Sequence, residues 1–241
     1  MPVSGDTMPV DQGRGACPTE EDNQQMSTLH GAPLSPFVRK TRIALKEKGI
    51  PYDLDPVIPF NVSAEFKKMS PLGKIPVYTP RDGIHIPDSS VIIAYLERTH
   101  PKPALYPENA EDFARALFFE EYSDSAVIGA AGTVFFQRVI GPRLMGAPTD
   151  EAAVKDALEN KLPPLLAWLD EQAKGREFFV GNAFTIADIA VTSPFVNLMH
   201  AGEHIDAARY PNLAKHIARN FERPSIKDLI AEERQFFSQA A

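Results

Sequence analysis

The sequence predicts an α/β domain followed by an all-α domain. Residues 27–100 mix short β-type runs with helical ones, whereas from residue 108 onward the β punctuation stops and helix follows helix. Between the two lies Pro101-Lys102-Pro103-Ala104-Leu105-Tyr106-Pro107, whose three prolines do not continue a helix and favour an extended path. At 241 residues the chain is long enough for two units that share an interface. The expected division is a flexible tail at 1–25, the α/β domain at 26–100, a linker at 101–107 and the helical domain at 108–241.

Each element has a local reason. Ser27 to Gly31 reads as a short strand, and Ser35 then offers an N-cap with Pro36 at the first helical position, so a helix is expected as far as Lys48. Gly49 suits a left-handed cap, and Tyr52 to Ile58 resumes an extended pattern. Ser63 to Met69 is expected as a short helix. Val77 to Thr79 and Ile84 to Ile86 flank Asp82-Gly83, a dipeptide suited to a tight hairpin. Asp88-Ser89 caps a helix with Val91, Ile92, Tyr95 and Leu96 at helical spacing. In the second half, helices are expected near 109–139, 150–173, 185–200, 211–222 and 225–238, punctuated by Gly141-Pro142, Gly146, Gly175, Gly181, Gly202 and Pro224. Pro163-Pro164 falls inside one of them, which should kink or restart there.

Composition excludes several function classes. The 44% hydrophobic and 24% charged content is that of an ordinary globular chain. A net charge of -7 opposes attraction to phosphate backbones and anionic lipid, so neither nucleic acid nor membrane is an expected partner. The lone cysteine, Cys17, leaves no internal disulfide or multi-cysteine metal site, and that usage fits a reducing compartment. No metal is expected. Residues 1–25 contain no signal-peptide core, and no apolar run approaches the roughly 18 residues of a membrane span, so the expected location is cytoplasmic.

Three segments carry candidate chemistry. Leu29 to Phe37 sets the Ser35 hydroxyl at a strand-to-helix turn, where free N–H groups and the helix dipole favour an anion such as a thiolate. A free thiol ionises near pH 8.5, and lowering that by about two units takes roughly 2.7 kcal/mol. A hydroxyl bond to the charged sulfur contributes about 1.5–3 kcal/mol and a helix N-terminus about 0.3–2, which together suffice. The same serine would also serve simply to start a helix. Next, Ser70-Pro71-Leu72-Gly73-Lys74-Ile75-Pro76-Val77 puts a proline at the mouth of a strand, where it would leave the Ile75 backbone free to pair with an extended peptide, although an edge-strand proline equally serves to close a loop. Lastly, Pro87-Asp88-Ser89-Ser90 opens a helix with groups suited to the carboxylate and amine of an amino-acid head group, although it is equally a routine cap.

Together these segments resemble the glutathione transferase family over about residues 27–235, with a thioredoxin-like N-terminal domain and a helical C-terminal domain. The run from Ser35 to Tyr52 is most similar to the serine-type tau class and its bacterial relatives. The resemblance implies that Ser35 bonds the glutathione sulfur and Lys74 meets the glycyl carboxylate. It further implies that Ile75 and Pro76 pair with the cysteinyl backbone, and that Asp88 and Ser89 hold the γ-glutamyl group, Asp88 standing where the family has glutamate. Where tau-type enzymes offer a further lysine, this chain has Asn61, Val62 or Ser63, and that role is unassigned. Omega and lambda relatives carry cysteine in place of Ser35, which turns the expectation from disulfide exchange to conjugation with a hydrophobic electrophile, a detoxification chemistry, with peroxidase side activity. Glutathione is then a co-substrate and a homodimer is implied. Phe37 and Tyr122 are the candidates for the electrophile pocket. The alternative is a non-catalytic glutathione-binding or regulatory protein of the same fold, as among translation-factor and stress-regulator relatives; zeta-type isomerisation lacks its Ser-Ser-Cys run here.

Other signals are structural. Gly181 to Ala190 resembles the family's folding signature, with Thr185 and Asp188 at capping-box spacing and Phe184 placed to staple onto Ile189. His200-Ala201-Gly202-Glu203-His204 matches a zinc-peptidase spacing, but Gly202 and the expected helix end spoil the shared face.

Overall fold

The computed structural model describes residues 26–239; the tail expected at 1–25, with Cys17, lies outside the described residues. The chain opens with β1 (Ser27–His30), α1 (Pro36–Glu47) and β2 (Tyr52–Asp55), then α2 (Ala64–Met69), β3 (Val77–Thr79), β4 (Ile86–Pro87) and α3 (Ser89–Thr99). The sheet order is β2-β1-β3-β4. β1 pairs parallel with β2, the crossover being α1, and antiparallel with β3. Leu29, Val77 and Ile86 of the sheet pack in one buried cluster with Val38, Leu45, Ile92 and Leu96 from α1 and α3. This is the thioredoxin-like half.

Local chemistry set most of these boundaries. Ser35 caps α1 with Pro36 in its first turn, and Gly49, at φ 65°, turns the chain out of it. β2 ends at Asp55 rather than Ile58 because Pro56 has no N–H for the ladder; Ile58 is exposed. The hairpin turns at Gly83, whose N–H reaches the Pro80 carbonyl at 3.0 Å. Its second strand starts at Ile86, not Ile84: Ile84 belongs to the turn, with its N–H on Asp82 Oδ1 at 3.4 Å.

Among the described residues, the second half contains helices joined by turns and no strand. α4 (Ala110–Tyr122), α5 (Ile128–Phe135) and α6 (Gly141–Met145) form one run, joined by π-helical turns at Ser123–Val127 and Phe136–Ile140. Gly141-Pro142 was expected to end it near 139; instead Pro142 occupies the first turn of α6, where no N–H is required, and Gly146 at φ 61° is the terminator. α7 (Glu151–Asp156) and α8 (Leu162–Ala173) are similarly joined by a π turn at Ala157–Lys161, placed where Pro163-Pro164 would otherwise break the ladder. Around these pack α9 (Ile186–His200), α10 (Pro211–Phe221) and α11 (Pro224–Gln239). α9 is the core element: residues 186–198 are buried on every side, and this burial holds the helix together across its internal Pro194.

The segment between the halves is tied down. Lys48 Nζ donates to the carbonyls of His100 and Pro103 at 2.7 and 2.8 Å, and Ile186 N–H bonds the Leu105 carbonyl at 2.8 Å.

Candidate functional site

Sheet register assembles the site. His30, the last residue of β1, lies opposite Val77, and Val77 lies opposite Pro87. The turn after β1, the Ile75-Pro76 step before β3 and the Asp88-Ser89 step after β4 therefore share one end of the sheet. Gly31 keeps the approach close: a Cβ there would fall 2.5 Å from Val38 Cγ2 and 3.4 Å from Ile75 Cβ.

Ser35 is half-buried. Its Oγ accepts from Val38 N–H at 3.5 Å, its N–H donates to the Ala32 carbonyl at 3.0 Å, and its hydroxyl hydrogen meets no acceptor among the described residues. That leaves a donor free beside the positive end of α1. The Ile75-Pro76 bond is cis, and the Ile75 backbone makes no hydrogen bond among the described residues. Ser70 closes the loop before it, accepting from Lys74 N–H at 3.1 Å and donating to the Lys74 carbonyl at 2.8 Å. The Lys74 ammonium is exposed and has no ion-pair partner among the described residues.

Asp88 caps α3 through Oδ1, which accepts from Ser90 and Val91 N–H at 2.9 and 3.3 Å, while its own N–H donates to the Pro76 carbonyl at 3.2 Å. Its backbone sits at φ 78°, ψ 133°, a costly conformation for a non-glycine residue. Oδ2 stays uncommitted at an exposed position. Ser89, by contrast, is buried as the first residue of α3, where its N–H is one of the helix's orphan donors.

The structure thus gathers Ser35, Ile75, Pro76, Asp88 and Ser89 at one end of the sheet, with Lys74 beside them in sequence. Phe37 is half-buried in the first turn of α1. The described contacts of Tyr122 lie within the helical half: its ring stands 4.4 Å from that of Trp168 and its hydroxyl donates to the Leu165 carbonyl at 3.5 Å. A hollow of about 350 Å³ between α4 and α8, lined by Arg115, Phe118 and Trp168 among others, contains none of the site residues. His200 pairs with Glu233 and Glu203 with Arg138, so the members of the zinc-like spacing face separate partners.

Sequence reasoning missed a buried layer beneath the site. Lys40 on α1 donates to Ser90 Oγ and Glu120 Oε1, each at 2.9 Å, and to Asp124, joining the start of α3 to the helical half. Burial would lower its pKa, but the carboxylates of Glu120 and Asp124 outweigh burial and hold the ammonium above its ordinary value. Next to it, Arg39 is fully buried and grips both carboxylate oxygens of Glu233 at 2.7 Å. No sequence signal marks these cations, because only the packing of the two halves buries them. Among the described residues, no helix is long and apolar enough to cross a membrane.

Residues 29–104 match the family model of the glutathione S-transferase N-terminal domain, and residues 143–233 that of the glutathione S-transferase C-terminal domain. A glutathione S-transferase of Methylobacillus flagellatus KT, solved with glutathione bound, is 32% identical; the likeness covers 84% of this chain and 98% of that one, with a TM-score of 0.71. Another, from Methylobacterium radiotolerans JCM 2831 in complex with glutathione sulfonate, is 31% identical over 86% of this chain and 95% of that one, also with a TM-score of 0.71. Elongation factor 1-gamma of Schizosaccharomyces pombe is 29% identical over 217 residues, 89% of this chain, and the chain spans 51% of that protein's length.

Proposed function

Since the chain belongs to the glutathione S-transferase family, we propose that it binds glutathione along the end of the sheet and uses Ser35 to hold its sulfur as a thiolate for attack on a hydrophobic electrophile. The observation that carries this reading is the free Ser35 hydroxyl hydrogen at the start of α1, in register with an unpaired Ile75 backbone and the start of α3. The cysteinyl backbone of the tripeptide pairs with Ile75 before Pro76. The glycyl carboxylate meets Lys74. The γ-glutamyl amine takes Asp88 Oδ2, and its carboxylate takes the Ser89 N–H at the start of α3.

Ser35 then donates to the sulfur, and the thiolate forms a carbon–sulfur bond as the electrophile's leaving group departs with its electron pair. The electrophile lies against Phe37 and the helical half. An organic hydroperoxide meets the same thiolate as a side reaction: sulfur takes the terminal oxygen, the alcohol leaves, and a second glutathione reduces the sulfenic acid to disulfide and water. The protein works as a homodimer in the cytoplasm on this reading.

Ser35→Ala tests it. The substituted protein is expected to stay on immobilised glutathione while conjugation of an aryl halide falls about tenfold to hundredfold, the worth of one hydrogen bond to a charged sulfur. Unchanged turnover with an unchanged pH profile rejects the role of Ser35. A second reading, a glutathione-binding protein without turnover, is favoured by the likeness to elongation factor 1-gamma. Retention on immobilised glutathione with no conjugation by the unsubstituted protein would select it.

A further inference from the structure

Resting on the reading that Ser35 holds the glutathione sulfur, we propose that Ser193 and Asn197 of α9 are positioning residues that aim its hydroxyl. Three successive peptide groups surround Ser35, and each is held. Asn197 Nδ2 donates to the Leu34 carbonyl at 3.0 Å, fixing the peptide that enters Ser35. The Ser35 carbonyl accepts the first bond of α1, from Arg39 N–H at 2.9 Å. Ser193 Oγ donates to the Pro36 carbonyl at 2.6 Å, fixing the peptide beyond. Side chains of the helical half thus hold two of the three, with Arg39 Nη2 of α1 adding a longer bond to the Leu34 carbonyl at 3.5 Å, and the freedom left to Ser35 is rotation about its own χ1. Its Oγ has one weak partner there, the Val38 N–H at 3.5 Å.

The two α9 side chains are themselves built into place. Ser193 and Asn197 are 1% and 2% exposed. Arg39 Nη1 donates to Asn197 Oδ1 at 2.6 Å and to the Ser193 carbonyl at 2.9 Å. An amide that offers its oxygen to a guanidinium must turn its NH₂ toward the Leu34 carbonyl, so Arg39 sets the direction in which Asn197 donates. Arg39 is anchored in turn by both oxygens of Glu233 on α11, and His200 Nε2 lies 2.9 Å from one of them. A chain of satisfied polar contacts runs from α11 through α1 and α9 to the turn that carries Ser35. Apolar residues at these positions would leave the Leu34 carbonyl and Arg39 Nη1 short of partners, so the two side chains satisfy buried groups as well as hold the turn. Paired donors on the carbonyls flanking a single hydroxyl are what orienting that hydroxyl requires.

The test titrates the thiolate of bound glutathione by its ultraviolet absorbance in the full chain, alongside turnover against pH and thermal melting. Ser193→Ala removes one donor without adding bulk. Asn197→Asp keeps the shape and the Arg39 contact but faces the Leu34 carbonyl with an acceptor. Either is expected to raise the thiolate pKa enough to leave about three- to tenfold less thiolate at neutral pH. Turnover should fall by the same factor and recover as pH rises, with the KM for glutathione unchanged. Thiolate titrations that match the unsubstituted protein in both variants, or turnover lost without a shift in titration, overturn the positioning role. Ser35→Ala in the same titration separates the two claims: if it too leaves the thiolate unshifted, the Ser35 reading fails and this inference with it.

Discussion

Asp88 divides two tasks between its two carboxylate oxygens. Oδ1 caps α3 and Oδ2 faces outward, in a residue whose positive φ is held by the bond from its own N–H to Pro76. Asp88→Asn keeps an oxygen for the cap and removes the charge. Its melting temperature should therefore hold, within about 0.5 kcal/mol of stability, while the KM for glutathione rises severalfold if Asp88 Oδ2 takes the γ-glutamyl amine as proposed. An unchanged KM would remove Asp88 from the glutathione site. Asp88→Ala should in addition lose about 1 kcal/mol of stability with the cap, visible in chemical denaturation.

At the scale of elements, α9 shows how a local signal gains weight from its surroundings. The Thr185–Asp188 capping box is present as the spacing predicts, Thr185 N–H donating to Asp188 Oδ2 at 3.0 Å. The fold adds what the spacing does not contain: Asp188 Oδ1 also accepts Phe179 N–H at 3.0 Å and lies 3.1 Å from His216 Nε2, all of it buried. Asp188→Ala strands several buried donors at once and should cost at least about 2 kcal/mol, read as a lower urea midpoint with an unchanged slope. A loss under about 0.5 kcal/mol would show that the box acts only as a surface cap. The π turns carry a related lesson. Pro163-Pro164 announces a disturbance in the helix, and the structure places the π turn that absorbs it just ahead of them, at Ala157–Lys161.

Over the whole molecule, the two halves meet through buried charge. α1 lies between the sheet and the helical domain, and its Arg39, Lys40 and Arg42 reach Glu233, Glu120 with Asp124, and Glu232 respectively. Burial by itself would raise the Glu233 carboxyl, but the Arg39 guanidinium and His200 outweigh burial and hold it below the ordinary carboxylate value. A carboxylate with a depressed folded-state pKa contributes stability above its unfolded value, about 4.3, and that stability is lost as pH falls through the folded one. Glu233→Gln should therefore cost about 3–5 kcal/mol at neutral pH, where it leaves Arg39 buried without its counter-charge. The cost should shrink on acidification, so melting curves of the two proteins converge at low pH. Parallel curves would mean that Glu233 does not supply the acid-sensitive stability.

The sequence by itself determined whatever depends on neighbours along the chain. The α/β-then-α order, the caps at Ser35, Asp88 and Thr185, the turn at Gly83 and the candidate residues from Ser35 to Ser89 were all legible there, because propensity, proline and capping act within a few residues. Tertiary structure decided the rest. It drew Ser35, Ile75-Pro76 and Asp88-Ser89 to one end of the sheet through strand register. It also directed the described contacts of Tyr122 to Trp168 and buried Arg39, Lys40, Ser193 and Asn197 around the turn that carries Ser35. The reason is physical: whether a cation on α1 is solvated or paired depends on helices some 80 to 190 residues away in sequence, and that pairing exists only once the two halves have closed on each other.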